Sequence, residues 1–167
     1  KRRPKARARL GLDVGGTSIK LVQVAAGADG RLSLAKHLIQ ELPARSAEES
    51  GQHRQLAEWL QPALKEFPAL PIAVAIAGPE VIVRRLDVPP MSAKELREAI
   101  RWQIKDELPF PIQDAVVDCA VVGEVWDKDV KKQDVLVAAA PRSTVQALVA
   151  TIERAGGQVA SVTPGAL

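Results

Sequence analysis

Cysteine is nearly missing from this 167-residue chain: Cys119 stands alone, which excludes an internal disulfide framework and a cysteine-built metal site. Its apolar setting points to a buried, inert thiol. The two histidines, His37 and His53, are far apart, lack ligand spacing and read as incidental. No apolar run approaches the roughly 20 residues of a membrane helix. The charged N-terminus has no apolar segment behind it, as a secretory leader would, so a cytoplasmic location is expected. Aromatic residues make up only 3 % of the chain. No basic stripe interleaved with them continues into the domain, so nucleic acid is not an expected partner. No internal repeat or low-complexity segment is present.

What is there begins with charge. The net charge of +3 owes much to Lys1-Arg2-Arg3-Pro4-Lys5-Ala6-Arg7-Ala8-Arg9, and the remainder is close to balanced. Residues 1–9 therefore read as a flexible basic leader, either a solvated arm or a contact for anionic lipid heads worth about 1 kcal/mol per basic residue. Any membrane contact would be peripheral. The length suits one compact domain with a second small module.

Residues 11–24 read as two strands joined by a turn. Leu10, Leu12 and Val14 alternate with smaller or polar residues, and Ile19, Leu21, Val22 and Val24 form a second apolar run. In the turn, Gly15 and Gly16 permit positive φ and remove Cβ atoms that would keep a ligand from the backbone amides. Thr17 and Ser18 add hydroxyls, Lys20 a positive charge, and Asp13 a hard oxygen for Mg²⁺ or one of its waters. A plain Gly-Gly hairpin explains the glycines equally well. It does not explain Asp, Thr, Ser and Lys gathered around them.

A third strand is expected from Arg31 to Ile39, and Ser46-Ala-Glu-Glu49 reads as a capping box opening a helix. Leu56, Leu60, Ala63, Leu64 and Phe67 form one apolar stripe, with a kink or restart expected at Pro62. Ile72–Ala77 is an apolar strand stopped by Gly78-Pro79. Three strands, a helix and a buried strand begin a ribonuclease-H-like or actin-like α/β domain, assigned to residues 10–79 and 141–167. Between them, residues 80–140 read as an inserted strand-helix-strand-strand subdomain: a strand over 81–88, a helix opened by a capping box at Ser92–Glu95 and ended by Pro109 and Pro111, then strands near 115–124 and 134–140 around a charged turn, Asp127–Lys132. A third capping box at Ser143–Gln146 opens a helix that Gly156-Gly157 stops, and a last strand covers 158–163. The sequence opens without Met and ends at Pro164-Gly-Ala-Leu167, where another helix would normally begin, so a piece of a longer chain is expected.

On the inserted helix, Leu96, Ala99, Ile100, Ile104 and Leu108 share one face at about 100° per residue. Trp102 points nearly opposite, beside Glu95, Glu98 and Arg101. It is either a contact residue for a partner or packed against a neighbouring loop or module. Phe110, between Pro109 and Pro111, either docks a partner or caps the helix end. Asp87 and Asp118, acidic residues inside apolar strands, read as outward-facing.

The stretch from Val81 to Pro111, with RRLDVPPMSAKELREAIRWQIKDELPFP, closely resembles the PilM family, cytoplasmic actin-like components of type IV pilus assembly. GLDVGGTSIKLVQV, AVAIAGP, VLVAAAPRSTV and ERAGGQV follow in the family's order, so the resemblance covers nearly everything from Leu10 onward. It implies an actin-like core with an inserted subdomain, as in the cell-division protein FtsA. It implies ATP binding, with Asp13 near Mg²⁺ and the backbone of Gly15, Gly16, Thr17 and Ser18 near the phosphates. It implies a partner, the N-terminal peptide of a PilN-like inner-membrane protein, with Arg101, Trp102 and Phe110 as candidate contacts, and a place at the inner membrane. Self-association is a further expectation.

Only the family's first half is matched. One half of a nucleotide cleft cannot exclude water from the reacting phosphate, so weak ATP binding and no enzymatic hydrolysis are expected. The competing readings are a fragment of an actin-like sugar or acetate kinase, and the related cytoplasmic component of type II secretion. The inserted module favours an adaptor.

Overall fold

The computed structural model describes residues 9–27, 29–43 and 49–165. The basic leader up to Ala8, the capping box proposed at Ser46 and the last two residues lie outside them. Arg9 is not leader but strand, because it pairs across to Val24. The chain divides into two compact units, one formed by the chain up to Ala77 with Gln146–Gly165, the other by Gly78–Val145.

In the first unit, β1 (Arg9–Val14), β2 (Ser18–Ala26) and β3 (Leu32–Glu41) form an antiparallel meander. The helix α1 (Glu49–Lys65) then carries the chain to β4 (Pro71–Ile76), which lies parallel to β1. A second helix crossover leads to β8 (Gln158–Pro164), parallel to β4, and the strand order is β3-β2-β1-β4-β8. Alternation decides which face is dry. Leu10, Leu12, Ile19, Leu21, Ile72 and Val74 point to one side and are closed over by Leu56, Leu60, Ala63 and Phe67, and by Ile152 and Ala155. Each Leu, Ile, Val or Phe among them contributes about 1.5–3 kcal/mol when fully buried, against the conformational entropy lost on folding. Slipping β1 by one residue would turn Leu10 and Leu12 to the opposite face, so this burial also sets the register.

Helix α1 runs through Pro62 without restarting. A restart is avoided because Pro62 lies near the C-terminal end, and both it and Glu58, whose carbonyl loses its amide partner, are exposed to water. The crossover helix, here α3 (Arg142–Arg154), follows strand β7 of the second unit directly. Ser143 therefore sits inside the helix instead of capping it. Its stop does match the glycine pair: Gly157 N–H donates to Ile152 O and Gly156 N–H to Glu153 O, each at 2.9 Å, with Gly156 at φ 91°. This is the double-bonded helix end that a left-handed residue makes possible.

The second unit is an antiparallel sheet, β5-β7-β6, from β5 (Ile82–Val88), β6 (Ala115–Asp127) and β7 (Val130–Pro141). Helix α2 (Ala93–Ile104) packs on it through Leu96, Ile100 and Ile104 against Val88, Val135, Val137 and Ala139. Its start carries the expected capping box: Ser92 N–H donates to the Glu95 carboxylate at 2.9 Å, and Glu95 N–H to Ser92 Oγ at 3.4 Å. That hydrogen bonding from Ser92 holds the Glu95 carboxyl below its ordinary pKa. Two 3-10 turns, Lys105–Glu107 and Ile112–Asp114, follow, and Leu108 between them still joins the core.

The charged segment Asp127–Lys132 is mostly strand, not a long turn. Only Lys128 and Asp129 make the bend, at φ 47° and 68°, the primed geometry of a two-residue hairpin. Lys132 pairs with Asp127 at 2.6 Å and Lys131 with Glu124 at 2.8 Å. These ion pairs join the two strands, so the charges bridge the hairpin arms instead of widening the bend.

Candidate functional site

The β1–β2 turn brings the predicted nucleotide residues together. Asp13 and Lys20 are direct partners in the antiparallel register, and Lys20 Nζ lies 2.9 Å from Asp13 Oδ2. Both side chains are roughly half exposed. Gly15 N–H donates to Ser18 O at 2.9 Å, closing the bend, and Leu42 N–H donates to Thr17 O at 2.8 Å, tying the turn to the exit of β3.

Two details differ from the sequence reading. Neither Gly15 nor Gly16 has positive φ, so left-handed backbone is not what glycine supplies here. A Cβ at Gly15 would meet Ser18 O at 3.1 Å, whereas one at Gly16 would meet nothing within 4 Å. Glycine thus serves tight closure at the first position and bare backbone at the second. The Gly15 N–H is already engaged within the turn. Gly16 and Thr17 are exposed residues at the tip of the bend, so their amides and the Thr17 and Ser18 hydroxyls are the further donors that the turn can offer. Lys20 is bound to Asp13, so each of these charges is the other's counter-ion.

Among the described residues, no three His, Cys, Asp or Glu side chains gather as a metal cluster. A cation at Asp13 would be held by one carboxylate, waters and phosphate oxygens. This donor set fits Mg²⁺ carried by a polyphosphate, because Mg²⁺ keeps most of its waters and needs only one or two protein carboxylates.

The other candidate residues lie in the second unit, around the outer side of α2. Trp102 is 72 % exposed, with Lys105 Nζ 5.3 Å from its ring centroid, a cation over an aromatic face. Arg101 Nη2 donates to Ile112 O at 3.1 Å, fastening α2 to the second 3-10 turn, a single bond from a side chain that carries five N–H donors. Phe110 is half-buried between exposed prolines. Asp87 and Asp118 are exposed, as their strand positions suggested. Cys119 is half-buried, not fully buried, and desolvation, followed by Asp118, pushes its thiol pKa up, so little reactive thiolate forms.

Two features escaped the sequence reading. Trp126, on β6, is 70 % exposed. Asp134, 2 % exposed, receives a two-pronged hydrogen bond from Arg85, with Nε to Oδ1 at 2.6 Å and Nη2 to Oδ2. Those bonds hold the Asp134 carboxyl below its ordinary value despite desolvation, and raise Arg85 in turn. The alternation of Arg85 with Asp87 on β5 was the available signal, but it becomes readable only once β5 is paired with β7.

Comparison with known proteins gives the family. The model described as type IV pilus assembly protein PilM matches residues 11–163. A solved PilM–PilN type IV pilus biogenesis complex is similar at 27 % identity and TM-score 0.76, over 98 % of this chain and 48 % of that one. The cytoplasmic domain of EpsL, an inner membrane component of the type II secretion system of Vibrio cholerae, is similar at 13 % identity and TM-score 0.57, over 94 % and 57 %. A Bacteroides thetaiotaomicron protein of actin-like ATPase fold and unknown function is similar at 7 % identity and TM-score 0.50, over 93 % and 52 %. The last two likenesses show the fold alone. The chain spans about half the length of these solved relatives. Among the described residues no helix is long and apolar enough to cross a membrane. With its actin-like α/β fold and a family match running nearly from end to end, the chain belongs to the PilM family of type IV pilus assembly proteins.

Proposed function

We propose that this chain is the docking half of a pilus-assembly adaptor, which binds the N-terminal peptide of a PilN-like membrane protein and is thereby held at the inner membrane. The observation that carries this reading is the indole of Trp102, 72 % exposed on a helix whose other face is fully packed. Large exposed aromatics are costly to hydrate and are enriched among interface anchors. The solved relative containing PilN supports the same partner chemistry. Calorimetric titration of the chain with such a peptide, against a scrambled control, tests it. Saturable binding of the native order alone is expected; equal or no heat from both overturns it.

The β1–β2 turn is assigned to part of an ATP·Mg²⁺ site. Gly16 and Thr17 amides, the Thr17 and Ser18 hydroxyls and Lys20 would face phosphate, and Asp13 would hold the cation through a water. When bound, the polyphosphate supplies negative charge to these donors and the cation a counter-charge to Asp13. This half alone offers only some of the contacts of a cleft, so ATP·Mg²⁺ binds weakly and hydrolysis is negligible. Micromolar affinity in a calorimetric titration would overturn that expectation.

A further inference from the structure

We propose that Asp13 and Lys20 work as one exchangeable charge pair, which makes a divalent cation and a polyphosphate bind this turn cooperatively and each bind poorly alone. The proposal rests on the nucleotide reading of the turn. Its starting point is register: Asp13 and Lys20 are cross-strand partners, and the ammonium already sits 2.9 Å from Oδ2. A cation approaching Asp13 meets that positive charge first and must displace it. An anion approaching the Gly16 and Thr17 amides meets a lysine whose charge is already matched by a carboxylate. Either ligand alone therefore breaks an ion pair without replacing both of its halves.

Together they do replace both halves. A polyphosphate on the exposed amides draws the flexible Lys20 side chain toward it, which leaves Asp13 without a counter-charge and ready for the cation. The coupling is reciprocal by thermodynamic linkage: whatever the phosphate does for the cation, the cation does for the phosphate. The pair is suited to such exchange because both side chains are about half exposed, where an ion pair is cheap to open. The turn itself stays in place, since its closure depends on the Gly15–Ser18 and Leu42–Thr17 backbone bonds and not on either charge.

The test uses amide NMR of the whole chain, read at Gly15, Gly16, Thr17 and Ser18, with two probes kept apart. Mn²⁺ alone should broaden these amides at lower concentration in Lys20→Gln than in wild type. Metal-free ATP should shift them at lower concentration in Asp13→Asn than in wild type. The expected gain in each arm is about two- to fivefold, the factor that an exposed ion pair is worth. Unchanged or weaker response in either variant, with spectra otherwise native, overturns the exchange. If ATP·Mg²⁺ shifts the turn in wild type while both variants respond as wild type does, only the exchange fails. If neither ATP·Mg²⁺ nor Mn²⁺ perturbs these amides in wild type, the nucleotide reading fails and takes the exchange with it.

Discussion

Replacing Trp102 with alanine separates an anchor from a packing residue. A Trp side chain buries up to about 250 Å² in favourable contacts, and 72 % exposure leaves roughly 180 Å² of it to water. If a bound peptide covers half of that area, at about 25 cal/mol per Å², the variant loses about 2 kcal/mol of binding. That corresponds to roughly 30-fold in Kd. The fold should hardly notice: so little of the indole is covered that Trp102→Ala should change unfolding free energy by less than about 0.5 kcal/mol, as for surface sites generally. Calorimetry with the PilN-like peptide gives the first quantity and urea denaturation the second. Lys20→Ala, in the other unit, serves as a control whose peptide affinity should stay at the wild-type value. A wild-type Kd for Trp102→Ala, with binding otherwise intact, would remove the indole from the contact surface. Equal loss from both variants would refute the separation of peptide and phosphate surfaces.

Three further outcomes follow from packing and charge. Ile100 is completely buried beneath the β5-β7-β6 sheet, so Ile100→Ala should cost about 2–5 kcal/mol in urea denaturation, while Ile100→Leu costs less than about 1.5 kcal/mol. Gly156 has φ 91° with open space around its missing Cβ, so Gly156→Ala should cost about 1–2 kcal/mol through backbone strain alone, and a neutral result would contradict the helix stop. Asp134, held below its ordinary pKa by Arg85, adds stability that is fully present above the unfolded value of about 3.9 and disappears as pH falls through the lower folded value. The gap in thermal unfolding temperature between wild type and Asp134→Asn should be constant above about pH 5 and close below about pH 4. A gap that widens toward acid would reverse the assignment.

Most of the fold was legible in the sequence because its signals are local. The Ser92 capping box, the Gly156-Gly157 stop and the alternation of Leu10 and Leu12 each act within a few residues. The local signal misleads where a neighbour outside that range decides. Pro62 looks like a point of restart until its nearness to the helix end and its water-exposed surroundings are seen. Lys131 and Lys132 look like turn residues until cross-strand Glu124 and Asp127 claim them. Ser143 looks like a cap until β7 is found to run straight into α3.

The candidate sites divide in the same way. Sequence by itself determined that polar donors cluster around Gly15 and Gly16 and that Trp102 opposes the apolar stripe of its helix, because turn chemistry and helical period are properties of adjacent residues. Tertiary structure alone decided that Asp13 and Lys20 neutralise each other, that Arg101 donates a hydrogen bond to Ile112 O, and that Asp134 is buried and paired with Arg85, 49 residues away in sequence. The reason is physical: a charge acts over a few ångströms of space, and which charges come that close is set by strand register, which no short stretch of sequence contains.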